Sequence, residues 1–291
     1  MTRIIDGKAT AADIRREVAA GVAELREQHG VHAHLALLLV GDDPASHVYV
    51  RNKGKACDEV GMLSTIVRHA ADVSADVVLD QVRAWNADPS VHGILVQLPL
   101  PRHINEEQVL LTIDPNKDVD GFHPMNAGRL MIGADGFVPC TPAGIVELLK
   151  RYDIPTSGKH AVVIGRSNIV GKPISMLLAQ RRPQGNATVT MCHTGTKDLA
   201  TYTRQADIIV AAVGVAKLIT ADHVKEGVVV IDVGMNREMA ADGSSKLCGD
   251  VDFAAVAAKA SAITPVPGGV GPMTIAMLLN NTLLAARRST Q

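Results

Sequence analysis

One stretch decides the fold: His160-Ala161-Val162-Val163-Ile164-Gly165-Arg166-Ser167-Asn168-Ile169-Val170-Gly171. Its first five residues form a short apolar run, which is typical of a buried strand. The strand runs into a glycine turn that leads to a helical stretch, where unpaired backbone N–H groups and the helix dipole would face an anion. The pattern departs from GxGxxG, so a plain turn between a strand and a helix stays open as an alternative.

Strand-like and helix-like segments alternate from about residue 31 onwards, which predicts an α/β fold around a mostly parallel sheet. We predict strands at 34–40, 64–69, 93–98, 160–164, 187–191, 207–213 and 228–233. We predict helices at 44–60, 74–87 and 273–287. The first of these helices has Asp43 as its N-cap and Pro44 at its first position.

A segment rich in Gly, Pro, Asn and Asp, from Asp114 to Pro142, interrupts this alternation and predicts a domain junction. We therefore expect two domains. Residues 1–120 would form an N-terminal α/β catalytic domain, joined by a C-terminal helix at 273–291. Residues 140–265 would form a Rossmann-like dinucleotide-binding domain.

Composition narrows the classes of function. The chain has 291 residues, 47% of them hydrophobic and 20% charged, with a formal net charge of -1. This balance favours a globular protein without electrostatic attraction to nucleic acid or to an anionic membrane. The first residues lack the apolar core of a signal peptide, which predicts a cytoplasmic location. Neither the four widely spaced cysteines nor the eleven histidines show ligand-like spacing, so no metal site is expected.

The strand after the glycine turn indicates which cofactor binds. It ends at Met191-Cys192-His193-Thr194, where NAD-binding folds usually carry an acid for the ribose 2′-hydroxyl. With no acid there and Arg166 on the glycine turn, a 2′-phosphate would meet donors and no repelling carboxylate, which favours NADP over NAD. The alternative is that Arg166 is a solvated surface residue and His193 a packing residue.

Polar residues in the first domain form a candidate reaction site. Tyr49 and Lys53 are four residues apart and share a face of the predicted helix. Gln97 lies at the end of the strand predicted at 93–98, the sheet edge where ligands bind in open α/β folds. Asp118 and Asp120 present two carboxylates in a turn before Gly121. Taken singly, each has a simpler explanation: a surface lysine, a packing tyrosine and an ordinary Asx turn.

Together these segments resemble the methylenetetrahydrofolate dehydrogenase/cyclohydrolase family along nearly the whole chain. The resemblance rests on five motifs in order. They are Tyr49-Val50-Arg51-Asn52-Lys53, Gly93-Ile94-Leu95-Val96-Gln97-Leu98-Pro99-Leu100-Pro101, Lys117-Asp118-Val119-Asp120-Gly121, Gly165-Arg166-Ser167-Asn168-Ile169-Val170-Gly171-Lys172-Pro173 and Pro265-Val266-Pro267-Gly268-Gly269-Val270-Gly271-Pro272-Met273-Thr274.

The resemblance implies a role for each candidate residue. Lys53 would be the principal catalytic residue, neutral for part of the cycle, and Gln97 would orient it. Tyr49 would stack on the folate, and Asp120 would hold the pterin. Further substrate contacts are implied for Val96, Leu98, Pro267, Gly268 and Gly271, and the resemblance places the last three in a cleft between the two domains. Cofactor contacts are implied for Gly165, Arg166, Ser167, His193, Thr194, Ile231 and Thr274.

The implied activity is NADP-dependent oxidation of 5,10-methylenetetrahydrofolate, followed by hydrolysis to 10-formyltetrahydrofolate, in a homodimer. Two departures from the family pattern stand out: Thr194 replaces the usual serine but keeps the hydroxyl, and Gly214-Val215-Ala216 replaces a glycine followed by Lys-Pro. The second departure has no functional interpretation at this stage. Two alternatives stay open, a dehydrogenase without hydrolase activity and a nucleotide-sensing protein without turnover.

Overall fold

The computed structural model describes residues 2–239 and 245–291. In chain order, its strands and helices are β1 (Arg3–Ile4), α1 (Gly7–His29), β2 (His34–Val40), α2 (Pro44–Glu59), β3 (Leu63–His69), α3 (Ala75–Ala87), β4 (Gly93–Val96), α4 (Glu106–Thr112), α5 (Pro124–Ile132), α6 (Cys140–Arg151), β5 (His160–Ile164), α7 (Gly171–Ala179), β6 (Thr188–Cys192), α8 (Leu199–Thr203), β7 (Ile208–Ala211), β8 (Val229–Asp232), β9 (Asn236–Met239), β10 (Ser245–Cys248), α9 (Phe253–Ala257), β11 (Ala262–Ile263) and α10 (Val270–Arg288).

One compact unit comprises residues 12–140 and 275–291. Its sheet has three parallel strands in the order β3-β2-β4. The central strand β2 is almost entirely buried, because apolar side chains on both faces of a parallel sheet are covered. One face packs on α3 and α4, where Trp85 and Val109 belong to the core.

The other compact unit comprises residues 1–11 and 141–274. Its sheet has six strands, all parallel, in the order β1-β11-β8-β7-β5-β6. The central strands β5, β7 and β8 are apolar and buried. The first residues belong to this unit because β1 pairs with β11, with Arg3 opposite Ala262. Strands β9 and β10 form a separate antiparallel pair.

The seven predicted strands and three predicted helices are confirmed, with small differences at their ends. The strand predicted at 93–98 ends at Val96. Gln97 still donates its N–H to Leu38 O at 2.8 Å, but Pro99 has no N–H to continue the ladder. The last helix begins at Val270 rather than at 273, because Pro272 falls in the first turn, where a missing N–H costs nothing.

Several elements were not predicted from the sequence. Helix α1 precedes the first predicted strand, and α5 lies inside the segment interpreted as a domain junction. An N-cap begins α5 inside this polar segment, because His123 Nδ1 accepts from Met125 N. Helix α4, which was also not predicted, begins at a similar cap, where Asn105 Oδ1 accepts from Gln108 N. Within residues 2–239 and 245–291, no helix is both long and apolar enough to span a lipid bilayer.

Candidate active site

The start of α2 is fixed by its cap. The side chain of Asp43 accepts hydrogen bonds at Oδ2 from Ser46 N, at 2.8 Å, and from Ser46 Oγ, at 2.7 Å. Pro44 occupies the first turn, where its fixed φ suits the helix. A cap of this kind stabilises a helix by about 1 kcal/mol. The helix that carries Tyr49 and Lys53 therefore begins at a defined residue.

The buried face of α2 decides where Tyr49 and Lys53 point. Its buried residues recur at helical spacing and include small side chains: Ser46, Val50, Gly54, Ala56 and Cys57. A Cβ atom on Gly54 would come within 3.0 Å of Ile66 Cδ1, so the helix packs closely on β3. Tyr49 and Lys53 lie on the strip beside this face. Tyr49 is exposed and Lys53 is half-buried.

Lys53 and Gln97 are in direct contact. Lys53 Nζ donates to Gln97 Oε1 at 3.1 Å, and Gln97 Nε2 donates to Leu98 O at 2.7 Å. The second hydrogen bond fixes the orientation of the amide, so that its oxygen faces the lysine. These two contacts show how Gln97 could orient Lys53. The orienting role itself stays a prediction.

Asp120 reaches the same sheet edge by way of a fourth, short parallel segment. Ile94 N donates to Lys117 O at 2.8 Å, and Ile94 bridges to Asp118 in parallel. Residues 117–119 therefore run beside β4 and in the same direction. Because the carboxyl ends of parallel strands meet at one edge, Asp120 and Gln97 emerge together.

Asp118, which the sequence analysis did not assign, braces the turn that follows. Its carboxylate accepts from Phe122 N at 3.2 Å, from His123 N at 2.8 Å and from Asn126 Nδ2 at 2.8 Å. The side chain is 1% exposed. Burial raises the pKa of Asp118 to about 6, although these donors act in the opposite direction. The buried carboxylate of Asp118 thus stabilises the turn that contains Asp120.

The pKa of Asp120 depends on its burial and on the nearby charge of Lys53. Burial raises its pKa, while the positive charge of Lys53 and a hydrogen bond from the Cys140 thiol lower it. Cys140 Sγ lies 3.7 Å from Asp120 Oδ1 and 3.5 Å from Val119 O. Asn281 Nδ2 donates to Val119 O at 2.9 Å from α10. The thiol of Cys140 and the amide of Asn281 therefore both support the turn that contains Asp120.

Sequence reasoning noted the carboxylate of Asp118 but gave it no role, and it missed Cys140 and Asn281 as parts of this site. All four cysteines are free, and their wide spacing in the sequence gave Cys140 no role. Asn281 is 5% exposed and lies between Asn280 and the buried Thr282 in α10. An amide on the core-facing side of this helix was the available signal, because buried polar groups need partners.

The remaining predicted substrate residues lie in two places. Val96 is buried at the end of β4, and Leu98 is half-buried beyond it. In the other unit, Pro267 is exposed, Gly268 has a φ of 105° and Gly271 lies in the first turn of α10. The carboxyl edge of the three-stranded sheet thus brings together Lys53, Gln97 and Asp120: an amine, an amide and a carboxylate.

The glycine turn meets the end of the neighbouring strand. Ile164 pairs with Cys192, and Gly165 N donates to Cys192 O at 2.8 Å. Arg166, Ser167 and Thr194 are exposed, and His193 is half-buried with its Nδ1 accepting from Gly195 N at 3.0 Å. The donors available on this surface fit an anionic dinucleotide with a 2′-phosphate, and the end of β6 carries no acid that would repel it.

Ser167 shapes the start of α7. Its Oγ accepts from Val170 N at 3.1 Å and from Gly171 N at 3.3 Å. Ile231 is fully buried in β8. Thr274 Oγ1 lies 2.8 Å from Thr141 Oγ1. Gly165, Arg166 and Ser167 therefore share one turn with His193 and Thr194 beside it, while Ile231 and Thr274 lie on other elements.

Gly165 is required by the close approach of two chain segments. Its φ is 123°, and a Cβ atom there would overlap Ala212 O. We expect Gly165→Ala to raise the dissociation constant for NADP by about tenfold or more, because the turn must move away from β7. Titration calorimetry with NADP measures this. Gly128→Ala is the control, since nothing lies within 4 Å of that position; equal affinities in both variants would contradict the assignment.

These features define a class of protein. A six-stranded parallel sheet with a glycine turn at its carboxyl edge forms a Rossmann-like dinucleotide-binding unit, and an α/β unit carries an amine, an amide and a carboxylate at its own edge. The class is therefore a two-domain, dinucleotide-dependent α/β enzyme. The sequence model of the tetrahydrofolate dehydrogenase/cyclohydrolase catalytic domain matches residues 5–120, and that of its NAD(P)-binding domain matches residues 139–290. The chain belongs to this family.

Full-length relatives agree with this assignment. The chain is 59% identical to the bifunctional protein FolD of Methylibium petroleiphilum over 286 residues, with 98% of each chain covered. A crystal structure of the bifunctional FolD dehydrogenase/cyclohydrolase of Campylobacter jejuni superimposes with a TM-score of 0.94, at 49% identity and with 99% of each chain covered. The FolD structure of Trypanosoma brucei, solved with NADP and an inhibitor, gives a TM-score of 0.93 at 38% identity, covering 100% of this chain and 99% of that one.

Proposed function

We propose that this chain oxidises 5,10-methylenetetrahydrofolate to the 5,10-methenyl form with NADP, and hydrolyses that product to 10-formyltetrahydrofolate. The observation that carries the proposal is the Lys53–Gln97 pair beside Asp120 at one sheet edge. An acid–base group, a group that orients it and a carboxylate for substrate recognition are what the two steps require.

Folate recognition is the part assigned to Asp120 and Tyr49. The pyrimidine edge of a pterin presents a ring N–H beside an exocyclic amine, and one carboxylate can accept from both. Asp120 is held for this by the thiol of Cys140. Tyr49 is 41% exposed at the same helix face as Lys53, and its aromatic ring is a surface on which a flat ring system can stack.

In the oxidation step, the lone pair on N10 of the folate helps to expel a hydride from the bridging methylene carbon, which leaves a methenyl cation. Bound NADP supplies the hydride acceptor. A positive charge on Lys53 beside this carbon would oppose the developing charge of the methenyl cation. The oxygen of Gln97 accepts a hydrogen bond from an amine as well as from an ammonium group, so it keeps Lys53 in place in both states.

In the hydrolysis step, water adds to the methenyl carbon and gives up a proton to Lys53. The bond between that carbon and N5 then breaks as N5 takes up a proton and the hydroxyl group of the adduct releases its own proton to solvent, so that the formyl C=O forms on N10. A single amine can accept the first proton and return one to N5. No step in this sequence uses the nucleotide, so hydrolysis depends on the residues around Lys53 alone.

Cofactor choice is assigned to the glycine turn. Arg166, Ser167 and Thr194 are exposed at the carboxyl edge of β5 and β6 and can donate hydrogen bonds to phosphate groups. The relative from Trypanosoma brucei was solved with NADP bound. We therefore propose Gly165, Arg166, Ser167, His193, Thr194, Ile231 and Thr274 as the cofactor-binding set.

Two absorbance assays test the proposal. Methylenetetrahydrofolate and NADP should yield NADPH, and methenyltetrahydrofolate should disappear without any nucleotide. We expect a higher catalytic efficiency with NADP than with NAD, and equal efficiencies would contradict the role of Arg166. Tight NADP binding without NADPH formation would favour a nucleotide-sensing protein instead, and oxidation without hydrolysis would indicate a dehydrogenase alone.

We also propose that residues 1–120, with the helix at 273–291, form the folate-binding domain, except that residues 1–11 belong to the compact unit of the six-stranded sheet. Residues 140–265 are proposed to form the NADP-binding domain. The enzyme is proposed to act in the cytoplasm as a homodimer, without nucleic acid or membrane partners. The near-zero net charge supports the last point. Analytical ultracentrifugation tests the dimer.

A further inference from the structure

Two buried carboxylates lie at the carboxyl edge of the six-stranded sheet, outside the residues assigned so far. Asp232 ends β8 and is 3% exposed; Asp250 follows β10 and is 0% exposed. We refer to these two residues as the carboxylate pair. A buried carboxylate is costly unless several donors surround it, so each member must have a compensating set of hydrogen bonds.

Asp232 holds the backbone that carries Asp250. It accepts from Gly234 N at 2.9 Å, from Asp250 N at 2.9 Å and from Val251 N at 3.0 Å. The fit is close, because a Cβ atom on Gly249 would overlap Oδ2 of Asp232. The end of β8 thereby anchors the segment that begins at Gly249.

Asp250 in turn holds the loop that leaves β7. Its Oδ2 accepts from Val213 N at 2.7 Å and from Gly214 N at 3.0 Å, and its Oδ1 accepts from Asn236 Nδ2 at 2.9 Å. These two N–H groups lie beyond the end of the strand and have no ladder partner, so the carboxylate satisfies them. The glycine of Gly214-Val215-Ala216, a stretch that had no functional interpretation, is thus one of the groups it binds.

The loop held by Asp250 reaches the glycine turn. Ala212 N donates to Ile164 O at 2.8 Å, and Ala212 O occupies the space that a Cβ atom on Gly165 would need. Contacts therefore run without a gap from Asp232 through Asp250 and the 212–214 loop to Gly165. In open α/β sheets, dinucleotides bind at this carboxyl edge.

We propose that Asp232 and Asp250 are positioning residues for the dinucleotide: they fix the 212–214 loop against the glycine turn, in the conformation that binds NADP. They need not touch the cofactor. The proposal rests on the proposed NADP-dependent function, and it concerns the strength of nucleotide binding rather than hydrolysis at Lys53.

The decisive variant is Asp250→Ala, which leaves the N–H groups of Val213 and Gly214 without their acceptor. We expect its dissociation constant for NADP, measured by titration calorimetry, to rise by at least about tenfold. Its turnover of methenyltetrahydrofolate without nucleotide should stay within about twofold of wild type, because that step uses Lys53 and Gln97. Unchanged NADP affinity, or an equal loss of both properties, would overturn the proposal.

Asp250→Asn keeps the test decisive if the alanine variant does not fold. Its amide oxygen can still accept from Val213 and Gly214, and Asn236 can turn its own oxygen towards the new NH₂ group, so only the charge is lost. We expect a smaller rise of the dissociation constant, by about threefold, with the same unchanged hydrolysis. An affinity equal to that of wild type would again overturn the proposal.

Asp232→Asn should weaken NADP binding more than Asp250→Asn. Its NH₂ group would face the backbone N–H of Val251 or of Gly234, neither of which can turn away. If Asp250→Asn bound NADP more weakly than Asp232→Asn, the inference that Asp232 acts by holding Asp250 in place would be refuted.

Asp207 provides the matched control. Its carboxylate lies at the opposite edge of the same sheet and also holds a backbone group, accepting from His160 N at 2.9 Å and from Lys225 Nζ at 2.7 Å. Asp207→Ala and Asp207→Asn should lower the thermal stability but leave the NADP affinity unchanged. If they weakened NADP binding as much as the Asp250 variants, the effect would be one of general stability, and the positioning role would be rejected. Failure of wild type to bind NADP would instead reject the proposed function.

Discussion

Replacing Lys53 by methionine should lower the turnover of methenyltetrahydrofolate by about 10³-fold, which is the usual contribution of a positioned acid–base group. Methionine keeps an unbranched apolar side chain but removes the amine that donates to Gln97 Oε1. The NADPH-forming step needs little proton transfer, so we expect it to fall by less than about tenfold. Absorbance assays of the two steps, run on the same preparation, measure both effects.

The matched control is Lys55→Met, on the same helix. Lys55 is exposed, whereas Lys53 is half-buried. We expect the control to retain both activities within about twofold, as is usual for an exposed side chain without structural partners. Unchanged hydrolysis in Lys53→Met would remove the amine from the mechanism, and equal losses in the two steps would point to substrate binding rather than to proton transfer.

The elements that sequence analysis predicted well are those with local signals. The cap at Asp43 and Pro44 and the strand that ends at Gly165 each need only a few neighbouring residues to be recognised. Strand β1 has no such signal. Its two residues are a strand because they pair with β11, about 260 positions further along the chain, and no local pattern contains that partner.

The same distinction applies to the sites. Lys53 and Gln97 were identified by their motifs, but their contact joins residues 44 positions apart, and only the fold brings them together. Asp232 has a weaker signal: an acid that ends an apolar strand where no helix begins. A buried carboxylate of that kind must be surrounded by donors, yet the donors come from turns whose positions depend on the whole sheet.

Replacing Asp120 by asparagine should lower the catalytic efficiency of both steps by about 100-fold, because both use the same folate. The pyrimidine edge would meet one acceptor and one donor in place of two acceptors, which costs the charge-assisted hydrogen bond and leaves a donor facing a donor. NADP affinity should not change. Steady-state kinetics of the two steps, together with calorimetry, check this. Asp114→Asn, at a carboxylate that accepts from Asn116 N in the preceding turn, is the control and should leave both steps unchanged.

The pH dependence of folate binding tests the same carboxylate. Burial raises the pKa of Asp120, and the carboxylate is the form that accepts from the pterin, so binding should be complete above the raised pKa and should weaken as the pH falls through it. The Michaelis constant for the folate should therefore rise on acidification at a higher pH than the ordinary carboxyl pKa of 3.8 would give. If the Michaelis constant rose in the same way on acidification in Asp120→Asn, the pH dependence would belong to another group.

Lys53 supplies a second test of this pH dependence. Its positive charge lowers the pKa of Asp120, so its removal should let the pKa rise further. In Lys53→Met, the weakening of folate binding on acidification should begin at a higher pH than in wild type, which direct titration of the folate can follow because this variant turns over slowly. In Lys55→Met, the pH midpoint of folate binding should be the same as in wild type. If the pH midpoint of folate binding moved to lower pH in Lys53→Met, the lysine would not stabilise the carboxylate of Asp120. The proposed electrostatic coupling between Lys53 and Asp120 would then have to be abandoned.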